Sequence, residues 1–248
     1  MQFQKAEDIQ AKFQLDYPQL YSMQGFKYCD LLLTGVERSA WQALLHSCER
    51  RAMVDGGKFL DSTLTLPLGD SKEKILTTCF EVEQRGKKMI GWRMPGDSLL
   101  TIALDQLTLA RAQLYAVCLN PAAGLPPAIR SASPAAVDSL RRAGQLQELP
   151  RGLLALALRH RLENRLAGPD SAQAALDEAW EIAERGPMPL FQADIHLHRS
   201  RLFFPLYPAA YPWQSPAEDL REARRLIERH GYYRRLPELQ DAETALLR

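Results

Sequence analysis

The chain has 248 residues and a 46% hydrophobic composition, enough for one or two domains with an ordinary core. Thirty-one Lys and Arg against thirty Asp and Glu give a formal charge of +1, which argues against a nucleic-acid or membrane-surface partner. No window approaches the roughly 18 apolar residues of a membrane span, and the polar start MQFQKAEDIQ has no apolar signal core, so a cytoplasmic protein is expected.

Residues 4–14 read as a short helix without a cap, and 17–33 as a second one entered through Pro18 and broken at Gly35. Its partner is expected over 39–53, with Ala40, Leu44, Ser47 and Cys48 on one face. Residues 55–70 are irregular. The alternation in TLTLP could make a strand, but one strand has no sheet to join, so a loop or degenerate unit over about 54–96 is expected. Within it, Asp70 with Glu73 caps a helix over 71–88, and Asp97 is the N-cap candidate for a strongly apolar helix over 99–119.

Residues 120–133, with Pro121, Pro126 and Pro127, form the clearest linker, and Ser133-Pro134 opens the next helix. The stretch from Leu149 to Arg185 reads as two helices folded back on each other. The first is stopped by Gly168-Pro169, and the second is opened by Asp170 with Gln173. A helix over 189–204 and a proline- and aromatic-rich connection over 205–213 follow. Ser215 with Glu218 then caps a helix running to His230, and 237–247 is the terminal helix. The chain is therefore expected to be all-α, made of antiparallel helical hairpins.

The hairpins share a register. First helices give Tyr21-x-x-Gln24-Gly25-x-x-Tyr28, Gln106-x-x-Leu109-Ala110-x-x-Gln113, Leu153-x-x-Leu156-Ala157-x-x-His160 and, weakest, His196-x-x-Arg199-Ser200-x-x-Phe203. Second helices give Ala40-xxx-Leu44-xx-Ser47, Ala136-xxx-Leu140-xx-Ala143, Ala172-xxx-Leu176-xx-Ala179 and Pro216-xxx-Leu220-xx-Ala223. This pattern resembles the tetratricopeptide repeat, although its spacing exceeds the roughly 34 residues of the standard unit. The resemblance covers about residues 17–230. It implies a single domain over 1–248, stacked as a TPR-like right-handed solenoid.

YSMQGFKYCDLLL, ALDQLTLARA and LPRGLLALALRHR look more specifically like arrays attached to bacterial signalling NTPases. The uncapped first helix suits a piece of something longer, and bare solenoid ends favour self-association.

The resemblance implies a concave groove lined by the first helices. Its groove-facing positions carry over to Phe26, Arg111, Tyr115, Leu158, Arg161 and Arg201, apolar patches with three arginines suited to a peptide carrying acidic groups. The function expected is a non-enzymatic scaffold for a protein or peptide partner. The alternatives are a sensor or regulatory module of a larger signalling NTPase or transcription regulator, and a nucleic-acid-binding helical repeat.

Other chemistry is set aside. His196 and His198 stand two apart, which on a helix points them about 200° apart, so no shared metal is expected. One should pack against a helix and the other face solvent. Asp55-Gly-Gly-Lys58 lacks the phosphate-loop spacing. Cys29, Cys48, Cys79 and Cys118 form no CxxC and read as buried free thiols. The basic run 221–235 carries acids at pairing distance and reads as a solvated helix face, with Tyr232 and Tyr233 as packing contacts. No lysine follows Lys88. No cofactor, metal or catalytic constellation is expected.

Overall fold

The regular structure is helical throughout, and no strand occurs among the described residues. The structure is a computed structural model that describes residues 2–55 and 69–247, with the side chains of 48–55 and 69–71 outside the description. Ten α-helices lie within these bounds: α1 (Gln2–Phe13), α2 (Ser22–Asp55), α3 (Gly69–Gly91), α4 (Leu99–Leu119), α5 (Pro127–Arg142), α6 (Leu149–Leu162), α7 (Ala172–Arg185), α8 (Pro189–Phe203), α9 (Pro216–Arg229) and α10 (Leu236–Leu246). None of the described helices is long and apolar enough to cross a membrane. The helices group into two compact units, 1–37 with 70–145 (unit 1) and 38–69 with 146–248 (unit 2).

The first expected hairpin does not form. Residues 22–55 make one helix of 34 residues that passes straight through Gly35. A helical glycine costs about 1 kcal/mol relative to alanine, but Leu33 and Val36 on either side of it are fully or nearly fully buried, and that burial outweighs the loss. The TLTLP strand and the Asp55–Lys58 motif lie outside the described residues or side chains, as do the Cys48 thiol and the Asp70 cap. The linker also contracts. After a short 3₁₀ turn at Pro121–Ala123, α5 begins at Pro127, and Pro134 lies inside it. A proline needs no N–H in the first turn, so Pro127 serves as well as Pro134 to open the helix.

Two caps fall one residue later than expected. Ser98, in extended conformation, accepts from the Thr101 N–H at 3.1 Å, while Asp97 accepts from Met94 N–H in the preceding turn. Ser171, not Asp170, accepts from the Ala174 N–H at 3.2 Å. Helix α6 stops at Leu162, well before Gly168. Asn164 takes a left-handed φ of 59°, and the Arg165 N–H closes on the His160 carbonyl at 2.8 Å. Ser215 caps α9 as expected, accepting from the Glu218 N–H at 3.1 Å.

In unit 1, α4 is buried on almost every side, so its sequence shows little polar-apolar alternation. Gly86 on α3 lets Leu109 of α4 approach so closely that an added Cβ would lie 3.4 Å from it. Arg85 on α3 grips Glu7 on α1 at 2.5 Å, and Glu7 also accepts from the Leu20 N–H. Gly25 sits where a side chain has no room: an added Cβ would stand 2.4 Å from the Leu20 carbonyl oxygen and 2.8 Å from Met89 Sδ. Gly25→Ala should therefore cost unit 1 about 1–3 kcal/mol, read as a lower urea midpoint at unchanged slope. A midpoint equal to the native one would contradict this packing.

In unit 2 the helices pack in sequence order, α6 on α7, α7 on α8, α8 on α9 and α9 on α10, with α6 and α10 both also touching α8. Leu197, Leu220, Ile227, Leu239 and Leu246 form the core of the last three, joined by Leu45 of α2.

Candidate partner-binding groove

The residues expected to line a groove divide between the units, with Phe26, Arg111 and Tyr115 in unit 1 and Leu158, Arg161 and Arg201 in unit 2. Five of the six are 5% exposed or less, and Arg161 is half-buried. Side chains so covered present no surface to a peptide. The register located these positions on the first helices, but here those helices are enclosed by neighbours.

What encloses the two arginines is α2. In unit 1, Arg111 Nη1 donates to Asp30 at 2.7 Å, and its Nη2 reaches Glu37 at 3.5 Å. Burial opposes that charge, yet Tyr115, Asp30 and Glu37 together hold the guanidinium well above its ordinary basicity. In unit 2, Arg201 lies over the Trp41 ring at 4.9 Å and donates to the Glu238 carbonyl at 2.9 Å. Acidic and aromatic groups do meet the arginines, as the groove hypothesis required. For Arg111 the acids come from α2, and for Arg201 the ring comes from α2 and the acid from α10.

Helix α8 is the most polar hub of unit 2. From Ala193 to Phe203 every residue is buried, although the segment includes Asp194, two histidines and two arginines. Each is answered. Arg235 donates to Asp194 at 2.8 Å, and the Tyr232 hydroxyl donates to the other Asp194 oxygen at 3.1 Å. His196 Nδ1 is 2.6 Å from Asp219, which also accepts from the Tyr211 hydroxyl. Arg199 lies between the Trp180 and Trp213 rings, 4.8 and 4.5 Å from their centroids. His198 packs edge-on against Trp41 and bonds the Asp194 carbonyl, so the expectation of one solvent-facing histidine is corrected: both are buried. Of the tyrosine pair, Tyr232 packs against the core but Tyr233 is 61% exposed. Adjacent residues in the short turn point apart, so only one can reach inward.

Unit 2 has apolar surface in a place the repeat register did not mark. Leu146 lies just before α6, Leu190 in the first turn of α8 and Tyr233 just before α10. They are 57%, 42% and 61% exposed. The signal was present in the sequence as single apolar residues beside helix starts, but isolated apolar residues carry little weight without the burial data.

Comparisons with protein-family models, with curated proteins and with solved structures found no match.

Proposed function

We propose that the chain is a non-enzymatic protein–protein interaction scaffold whose partner-binding surface on unit 2 includes the exposed Leu146, Leu190 and Tyr233. The reading is supported by the packing order of unit 2, in which each helix meets its nearest neighbours in sequence and α8 touches both α6 and α10. That is how helical-repeat arrays extend, and such arrays present rows of equivalent positions to a partner. Two of the arginines that the resemblance assigned to the groove, Arg111 and Arg201, are already engaged by α2, so this reading takes the exposed apolar residues as the binding surface. A protein partner with a complementary apolar patch fits it.

The test is affinity capture from the source cell's lysate, with the native chain and a Leu146→Asp/Leu190→Asp/Tyr233→Asp variant as baits. The expected result is a stoichiometric protein retained by the native chain and lost with a variant of equal helical content. A protein retained equally by both baits, or none retained by either, overturns the reading.

A further inference from the structure

Unit 1 contains a cavity that the scaffold reading leaves unused. It encloses about 280 Å³ and is lined by the start of α2, the end of α3 and the start of α4. Three aromatic residues line it, and the Tyr17 ring packs against the other two: its centroid is 5.6 Å from Tyr21 and 5.6 Å from Trp92, the latter pair edge-on at 81°. Met89 and Met94 add thioethers. Asp105 of α4, only 2% exposed, lines the same space.

That carboxylate is poorly answered. Asp105 Oδ1 has no hydrogen-bond partner among the described residues. Its Oδ2 lies 3.9 Å from Arg93 Nε, beyond hydrogen-bonding distance, and Arg93 Nη2 donates instead to the Ile102 carbonyl at 2.9 Å. A second carboxylate, Asp97, stands at the exposed rim, with one oxygen held by the Met94 N–H. The Arg93 ion pair is long, and a buried carboxylate whose oxygens find no hydrogen-bond donor costs several kcal/mol.

The walls restrict which cation. A divalent metal of the calcium or magnesium kind takes six or more oxygen ligands, and among the described residues no group of three or more His, Cys, Asp or Glu could hold one. A primary ammonium needs three acceptors. Of the four hydroxyls on the lining, those of Ser22 and Thr101 already bond each other at 3.1 Å, and Thr101 also bonds Ser98. An ammonium whose protons are replaced by methyl groups needs no acceptors, is attracted by aromatic faces and loses little on leaving water. The cavity lies at the small end of ligand-site volumes, which suits a headgroup and not a whole cofactor.

We propose that this cavity binds an alkylated ammonium group of the trimethylammonium kind, with Tyr17, Tyr21 and Trp92 around its methyl groups and Asp105 balancing its charge. The site goes beyond the scaffold reading and rests on unit 1 alone. It is also framed by Ser22, which holds a left-handed φ of 56°, a conformation that non-glycine residues keep where surrounding structure enforces it.

Calorimetric titration of the full chain tests this with choline, with free trimethyl-lysine, and with the neutral isostere in which carbon replaces choline's nitrogen. One cation should bind at least about tenfold more tightly than the isostere. Trp92→Ala and Asp105→Asn should each lose about tenfold or more. Tighter binding of choline identifies a free small solute, and tighter binding of trimethyl-lysine a methylated protein side chain. Affinity should also fall as pH drops below about 7, because burial pushes the Asp105 carboxyl up to about 7, against Arg93 and with Asp97. Equal binding of the isostere, no saturation by either cation at about 10 mM, or native affinity in Asp105→Asn overturns the assignment. Failure here leaves the unit 2 surface untouched, since its readout is capture of a protein by different residues.

Discussion

Glu238→Ala should destabilise unit 2 by about 3–5 kcal/mol, the cost of stranding buried charge. Glu238 is 3% exposed and serves two arginines at once. Arg235 Nη1 meets one carboxylate oxygen at 2.5 Å, and Arg201 Nη1 meets the other at 3.3 Å. Arg201 is 1% exposed and Arg235 5%, and neither guanidinium can shed its proton in a protein. Without Glu238, Arg235 retains Asp194, while Arg201 loses the Glu238 carboxylate. Glu238→Gln should cost less, because it keeps an acceptor near both cations.

The Glu238→Leu/Arg201→Met pair should recover much of the loss, since removing a buried ion pair whole is far cheaper than breaking it. Urea titration of the four-member cycle measures the coupling. A loss below about 1 kcal/mol in Glu238→Ala would show that the network is solvated in solution. Against a total of about 5–15 kcal/mol for an ordinary domain, the expected loss brings unit 2 close to unfolding.

Asp105→Asn should move in the opposite direction. Burial raises the Asp105 carboxyl to about 7 in the folded state, so between the unfolded carboxylate value and pH 7 the native state holds a proton that the unfolded state has released. Stability therefore rises as pH falls through that window, and the penalty for ionised Asp105 is complete above it. An asparagine resembles the protonated form and avoids the penalty. The variant should be more stable than the native chain by up to about 4 kcal/mol at pH 8, with the advantage shrinking steadily towards pH 4. Thermal or urea unfolding at several pH values reads this directly. An advantage that does not change with pH would show that Asp105 is not the titrating group. A gain in stability with loss of cation binding would mark Asp105 as a residue kept at a cost to the fold.

Much of the helical architecture is legible because its signals are local. Ser215 announces α9 within four residues, and the register Ala172, Leu176, Ala179 marks a face of α7 that is fully buried. The small residues Ala110, Ala157 and Ser200 are likewise completely buried. It failed where local and distant interactions compete. Gly35 is a helix breaker by propensity, overruled by the burial of Leu33 and Val36. Helix α8 resisted reading for a different reason: its polar residues find partners 23 to 41 positions away, at Asp219, Tyr232, Arg235 and Glu238. Periodicity records which face is apolar, and a helix enclosed on all sides has no such face. The groove arginines were misplaced by the same blindness, since nothing near Arg111 or Arg201 in sequence reveals that α2 covers them. The cavity in unit 1 was equally hidden, because Tyr17, Trp92 and Asp105 come from three separate segments.

The three described thiols make unit 1 its own reporter. Cys29, Cys79 and Cys118 sit on α2, α3 and α4, and burial pushes them up to about 11, about 12 and about 12. A thiol needs both exposure and its anion to be alkylated, and the folded protein withholds both. Each alkylation event in unit 1 must then wait for its own helix to open, so the modification rate becomes a clock for local opening. Peptide mapping after timed exposure to iodoacetamide would rank the three helices by how often they part from the core, without introducing any probe.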